Sequence, residues 1–120
     1  MKEKNSILYV QTSDIPERQY SPLVLAQTAR AMNIDAKVYY LGQSLRILLP
    51  GAAEKVKLGA FPSMLEMINQ TLKMGIPIFV CEASKQMLGW EKVDLLPGLK
   101  IVGAGTLNDL ALDAGATMWF

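Results

Sequence analysis

Cys81 is the residue of this sequence whose type and position best suit chemistry. The chain contains one cysteine and no histidine, which excludes catalytic arrangements that pair a serine or a cysteine with histidine. Zinc sites built on histidine, or on several cysteines, are excluded for the same reason. We therefore expect no metal and no cofactor, and the chemistry that remains is that of a single thiol.

The position of Cys81 favours a reactive thiol, although a free cysteine is more often an inert core residue. It ends an apolar run at residues 76–81 that is typical of a central parallel strand, and a short helix is predicted to begin at Glu82. Unpaired amides at a helix N-terminus lower a thiol pKa, whereas Glu82 would oppose the thiolate if it turned towards the sulfur. The candidate thiolate-stabilising residues are Ala83, Ser84 and Lys85.

Two further turns follow predicted strands and would line a cleft with Cys81, because ligands bind beyond the carboxyl ends of parallel strands. The turn that begins at Gly103 lacks the third glycine of a dinucleotide-binding loop, so we interpret it as a strand-to-helix turn. The turn after the first strand contains Asp14, which would repel a phosphate, and we interpret it as a solvated turn. The candidate cleft-lining residues are Thr12, Ser13, Gly103, Gly105 and Thr106.

Alternating strand and helix patterns predict the elements that position these residues. Helices are predicted from Ser21, with Ser21 as N-cap and Pro22 at the first position, and from Ser63. Two further helices are predicted, one from Glu82 directly after Cys81 and one that Thr106 caps. Residues 43–60 fit either a strand or a helical turn. The five strands are predicted at 7–11, 36–41, 77–81, 99–102 and 117–120. This alternation predicts one α/β domain over residues 1–120, a three-layer sandwich with a mostly parallel five-stranded sheet.

Composition limits the partners and the cellular location that we expect for the protein. The net charge of +1 lacks the basic excess of a nucleic-acid-binding domain, so direct binding of nucleic acid is not expected. No apolar run reaches the length of a signal peptide or a membrane span, and we expect a cytoplasmic protein with no membrane contact. Only 19% of residues are charged, against about 25% on average. This composition, together with the apolar segment 45–49, predicts a homo-oligomer.

Three segments of the sequence resemble the DsrE/DsrF-like family of sulfur-relay proteins, which includes the Tus proteins of tRNA thiolation. They read ILYVQTSDIPERQYSPLVLAQTARAMNIDAKVYYLG, IPIFVCEASKQMLG and LPGLKIVGAGTLNDLALDAGATMWF. The resemblance implies that Cys81 accepts sulfur and passes it on as a persulfide, with sulfur donor and acceptor proteins as partners. It also implies assembly as a dimer, trimer or hexamer. The sequence departs from many members at residues 114–116, where they carry an acidic residue.

Two functions follow from these observations. The first is a sulfur-relay carrier, a sulfurtransferase subunit if it is an enzyme, with Cys81 as a low-pKa thiol in a partly open site between the ends of strands 77–81 and 99–102. The alternative is a non-enzymatic oligomeric module that binds a small anionic ligand or a protein at the strand-end cleft. Rapid labelling of the native thiol would distinguish the carrier from the module.

Overall fold

Five short strands form one sheet at the centre of the protein, for which a computed structural model describes residues 5–120. The sheet order is β4-β3-β2-β1-β5, and every neighbouring pair is parallel. The predicted α/β fold and its five strands are thereby confirmed. The strands are β1 (Ser6–Gln11), β2 (Asp35–Tyr40), β3 (Ile78–Cys81), β4 (Lys100–Val102) and β5 (Ala116–Trp119).

Helices cover both faces of this sheet, which gives the three predicted layers. The larger core lies on the face that carries α1 and α2, and the smaller core lies on the opposite face, where side chains of α4 complete it. The α-helices are α1 (Tyr20–Ala31), α2 (Met64–Lys73), α3 (Glu82–Met87) and α4 (Ala104–Asp113). Short 3-10 helices lie at Pro16–Arg18, Gly42–Leu48 and Ala53–Lys55.

The start of α1 differs from the prediction. The helix begins at Tyr20 with Gln19 as N-cap, so Ser21 lies inside the first turn. The Gln19 side chain explains the shift, because its Nε2 donates to the carbonyls of Ser13 and Ile15 and fixes the chain before the helix. Pro22 is then the third helical residue, where its missing N–H costs nothing because first-turn amides have no helical partner.

The start of α4 differs from the prediction of Thr106 as its cap, and the conformation of residues 43–60, which the sequence left open, is also given by the structure. Gly103, with extended backbone, is the N-cap of α4, and Thr106 lies within the first turn, donating its N–H to the Gly103 carbonyl at 3.1 Å. The 3-10 helix Gly42–Leu48 buries Leu45 and Leu48 completely. The core therefore takes up most of the apolar segment 45–49, although not Leu49 entirely, so this segment adds little to the prediction of a homo-oligomer.

None of the helices within residues 5–120 combines the length and the apolar character needed to cross a membrane.

Candidate functional site

Cys81 stands where β3 ends and α3 begins, as the N-cap residue of that helix. Alternation along β3 sends Ile78 and Val80 into the larger core and leaves Phe79 and Cys81 on the opposite face. The Cys81 side chain is only 5% exposed, because it belongs to the smaller core that α4 covers. The prediction of a partly open site is therefore wrong for this chain on its own.

Polar neighbours nevertheless favour the thiolate of Cys81. Burial raises its pKa, but the hydroxyl and the N–H of Ser84, the hydroxyl of Tyr39 and the N–H of Ala83 all lower it, and the net shift is downward. These contacts lack the geometry of a regular side-chain N-cap hydrogen bond. They act as several weak dipoles that together outweigh the cost of desolvating the sulfur.

Ser84 is held in place by the chain segment that follows β2. Its buried hydroxyl accepts the N–H of Gly42 at 2.7 Å, so the hydroxyl proton remains available to the sulfur. Gly42 has a φ of +66°, a left-handed conformation that favours glycine. The sequence therefore fixes the Ser84 hydroxyl through a turn that a larger residue would strain.

Tyr39 is the site residue that sequence reasoning missed. Its side chain is fully buried in the smaller core, and its hydroxyl lies 3.4 Å from the Gly103 carbonyl. Burial raises the Tyr39 pKa, and the contact with Cys81 raises it further, so the phenol stays protonated. The signal in the sequence was the pair Tyr39–Tyr40 in a neighbouring strand, but only the register shows which ring faces the thiol.

Lys85 is placed differently from the prediction. Its Nζ donates to the carbonyl of Val93 at 2.9 Å, and the side chain is almost buried. The ammonium is thereby engaged with the loop that follows α3, and it is not among the main causes of the Cys81 pKa shift. With Glu82 and Glu91 it lines a separate cleft beside α3.

Of the three predicted cleft residues after β4, one contacts the site and two are exposed or partly exposed. Gly103 reaches the site, because its carbonyl is the second partner of the Tyr39 hydroxyl. Gly105 is exposed and Thr106 is partly exposed in the first turn of α4. Of the three, only Gly103 is therefore linked to the thiol, and the link is the Tyr39 side chain.

The structure does not bring Thr12 and Ser13 to the thiol. They follow β1, which β2 separates from β3 in the sheet. The Thr12 hydroxyl donates to the Phe120 carbonyl at 2.7 Å, while Ser13 accepts the N–H of Ile15 and donates its own N–H to the buried Gln11 side chain. These residues close their own turn, as a solvated turn would.

No cluster of three or more cysteine, aspartate or glutamate side chains within residues 5–120 is placed to hold a metal ion. The site is thus a single buried thiol surrounded by hydroxyl and amide donors. Such an arrangement can stabilise a thiolate and the sulfur species formed from it.

Comparisons with known proteins give the same fold. The chain is 30% identical over 104 residues to the uncharacterized protein MJ0760 of Methanocaldococcus jannaschii, an alignment that covers 86% of this chain and 38% of that protein. This chain thus spans well under half of that relative. The structure is similar to the ychN protein of E. coli, with a TM-score of 0.76, 20% identity and coverage of 99% of this chain and 100% of that one.

It is also similar to MTH1491 of Methanobacterium thermoautotrophicum, a protein of unknown function, with a TM-score of 0.66 and 14% identity over 98% of this chain and 100% of that one. At these identities the two structures establish the fold alone. The sequence model of the DsrE/DsrF-like family matches residues 5–120, nearly the whole chain. This protein therefore belongs to the DsrE/DsrF-like family, which is associated with sulfur relay.

Proposed function

We propose that this protein is a sulfur carrier in which Cys81 holds sulfane sulfur as a persulfide. The observation that carries the proposal is the set of hydroxyl and amide contacts that lower the pKa of the chain's one thiol. A thiolate is the form that attacks sulfur. Whether transfer is catalysed or Cys81 serves as a carrier within a larger sulfurtransferase, the reacting atom is the same.

The reaction exchanges one sulfur–sulfur bond for another. The Cys81 thiolate attacks the outer sulfur of a donor persulfide, the donor's sulfur–sulfur bond breaks, and the donor leaves as a thiolate. An acceptor thiolate then attacks the outer sulfur held on Cys81, and the bonding electron pair returns to the Cys81 sulfur. No external oxidant or reductant is needed, because the donor's thiolate and the acceptor's persulfide balance the exchange.

The lone cysteine suits a carrier. With no second cysteine in the chain, a persulfide on Cys81 has no internal thiol that could discharge it as a disulfide. The sulfur is therefore retained until a partner thiol arrives. We propose donor and acceptor proteins as its partners, a reducing cytoplasmic setting, and no direct contact with nucleic acid or membrane.

Access to Cys81 is proposed to open at α4. That helix covers the smaller core without burying any residue of its own, and elements with little buried apolar surface open at low free-energy cost. A donor would then reach the sulfur by displacement of α4 while the larger core on the other face stays intact.

The burial of Cys81 favours a second candidate function. A thiol that is 5% exposed also fits a non-enzymatic oligomeric module, in which the cysteine fills the core and a small anionic ligand or a protein binds at the strand-end cleft. The two functions differ in the native reactivity of the thiol.

Intact-mass analysis after exposure of the native protein to glutathione persulfide tests the proposal. We expect wild-type protein to gain one sulfur atom, to lose it on addition of a thiol reductant, and to label rapidly with an alkylating reagent near neutral pH. Cys81→Ser should gain no sulfur. If the wild type gains no sulfur and labels only after denaturation, Cys81 is a core residue and the binding module becomes the better assignment.

A further inference from the structure

We propose that Tyr39 positions and holds the Cys81 sulfur: its side chain packs in the same core cluster as that sulfur, and its hydroxyl, which contacts the Gly103 carbonyl, donates its one proton to the sulfur when the thiol ionises. The inference deepens the proposed function and rests on it in one respect, since it takes Cys81 as the reacting residue. It adds a residue from a different strand to the site.

The ring of Tyr39 has a fixed position. It is fully buried and stacks on Phe79, with ring centroids 6.4 Å apart and an interplanar angle of 26°. Phe79 pairs with Tyr39 in the sheet register, and Cys81 lies two residues beyond it on the same face. The phenol is therefore pre-organised beside the sulfur and does not have to be ordered when a thiolate forms.

The Tyr39 hydroxyl has one proton and two acceptors. Its contact with the Gly103 carbonyl, at 3.4 Å, is longer than an ordinary hydroxyl hydrogen bond. That carbonyl also accepts the N–H of Thr106 at 3.1 Å, so it keeps a partner if Tyr39 turns away. A hydrogen bond to a charged acceptor is stronger than one to a neutral carbonyl, and ionisation of Cys81 therefore draws the proton to the sulfur.

The mutual effects of the two side chains agree with this geometry. Burial raises the Cys81 pKa, and hydrogen bonding to Tyr39 is one of the causes that lower it, after the two Ser84 contacts. Burial is the main cause of the raised Tyr39 pKa, and the Cys81 contact adds to it. Both directions describe a phenol that keeps its proton and a sulfur that loses its own.

Charged side chains on the surrounding elements are engaged elsewhere or are not main causes of the shift. Lys85 of α3 bonds to the Val93 carbonyl, Lys37 of β2 pairs with Asp35 at 2.7 Å, and Lys100 of β4 lies 5.9 Å from the Phe79 ring centroid. The remaining charged groups on these elements are Glu82 of α3 and Asp109 and Asp113 of α4.

The same proton serves the transfer step. When an acceptor thiolate takes the outer sulfur from Cys81, the sulfur–sulfur bond breaks and the electron pair returns to the Cys81 sulfur. A neighbouring hydroxyl that can donate to that atom stabilises the charge as it develops. Tyr39 would thus assist both the loading of Cys81 as a thiolate and its release as a leaving group.

The test is a pH titration of the thiolate ultraviolet absorbance, which needs no reagent to enter the core. Tyr39→Phe removes the hydroxyl and keeps the ring, and we expect the titration midpoint to rise by about one pH unit, the size of a lost hydrogen bond to a charged group. Tyr40→Phe is the matched control: Tyr40 neighbours Tyr39 on β2, faces the larger core, and its hydroxyl has no hydrogen-bond partner among residues 5–120. Its midpoint should equal that of the wild type, with Cys81→Ser as the blank.

A wild-type measurement covers the case in which Tyr39→Phe fails to fold. Ionisation of Cys81 should perturb the tyrosine absorption band with the midpoint of the thiolate itself, and Cys81→Ser should lack that perturbation. An unchanged midpoint in folded Tyr39→Phe, or no tyrosine perturbation in the wild type, would overturn the proposal. If the midpoint shifts as expected but glutathione persulfide loads no sulfur, Tyr39 keeps its role and the carrier function fails instead.

Discussion

At the Cys81 sulfur, two physical effects act in opposite directions. Removal from water penalises the charged thiolate, while hydroxyl and amide dipoles aimed at the sulfur favour it, and the dipoles prevail. Their origin is spread over the chain, because Tyr39 comes from β2, Ser84 from α3, and Gly42 orients Ser84. A lowered native pKa means that the folded state stabilises the thiolate form of Cys81 more than the unfolded state does.

This linkage predicts how stability depends on pH. Between the lowered native pKa of Cys81 and the unfolded value of about 8.5, the unfolded chain binds more protons, so the free energy of unfolding rises with pH. The contribution is complete above the unfolded pKa and is lost as pH falls through the native one. Urea unfolding of wild type and Cys81→Ser at several pH values measures it.

The quantity to follow is the difference in unfolding free energy between the two proteins. Subtraction removes every other titrating group, because Cys81→Ser keeps them all. We expect the difference to grow in favour of the wild type from neutral pH to about 8.5. A difference that is flat or shrinks over this range would contradict a lowered native pKa.

Among the helices, two serines at predicted starts have different roles. Ser63 caps α2 in a capping box: its hydroxyl accepts the N–H of Glu66, and its own N–H donates to the Glu66 carboxylate. Ser21 lies within the first turn of α1, after the actual cap. The glutamate three residues after Ser63 is the signal that separates them, since Val24 occupies the same position after Ser21.

This contrast predicts the effect of removing each hydroxyl. Ser63→Ala should lower the free energy of unfolding by about 1 kcal/mol, the usual cost of losing a side-chain cap. Ser21→Ala should leave it within about 0.5 kcal/mol of the wild type, because an exposed position inside a helix tolerates alanine. Urea denaturation measures both variants. Equal losses would indicate that the Ser63 box contributes nothing specific.

Strands were predictable to within about one residue because each includes a short run of apolar residues, of strand length and bounded by polar or breaker residues. The start of α1 was not, since it depends on Gln19 bonding to carbonyls of a preceding loop. The reactive candidate Cys81 and the Ala83 and Ser84 contacts followed from local sequence. Tyr39 did not, because its place at the sulfur depends on the register between β2 and β3, which strand patterns alone leave open.

Across the whole molecule, burial is uneven. The larger core contains most of the fully buried side chains, whereas no residue from 100 to 120 is buried. This C-terminal part contains both edge strands of the sheet: β4 exposes Ile101 at one edge, and β5 exposes Met118 and Trp119, the latter 57% exposed, at the opposite edge. Exposed large apolar side chains that are neighbours in space, such as Met118 and Trp119 at the β5 edge, are typical of interaction surfaces.

We therefore predict a homo-oligomer that uses the surface around Trp119. Trp119→Asp should shift the protein towards a monomer of 13.2 kDa, because a buried unpaired carboxylate costs several kcal/mol at an interface. Met32→Asp is the matched control, since Met32 is 62% exposed at the end of α1, in the layer that covers the larger core. Sedimentation velocity at micromolar concentration measures the mass of each protein.

The outcomes show separately whether the protein forms an oligomer and which surface forms the interface. Circular dichroism first establishes that both variants keep the α/β fold, because β5 pairs with β1 at Trp119 and a folding defect there would mimic dissociation. A wild type that sediments only as a monomer would refute the oligomer. A wild-type oligomer that persists in Trp119→Asp but dissociates in Met32→Asp would place the interface on the α1 face, where a core of fully buried side chains lies beneath an exposed methionine. Dissociation of Trp119→Asp alone would show that the C-terminal residues gain in the assembly the burial that the single chain does not give them.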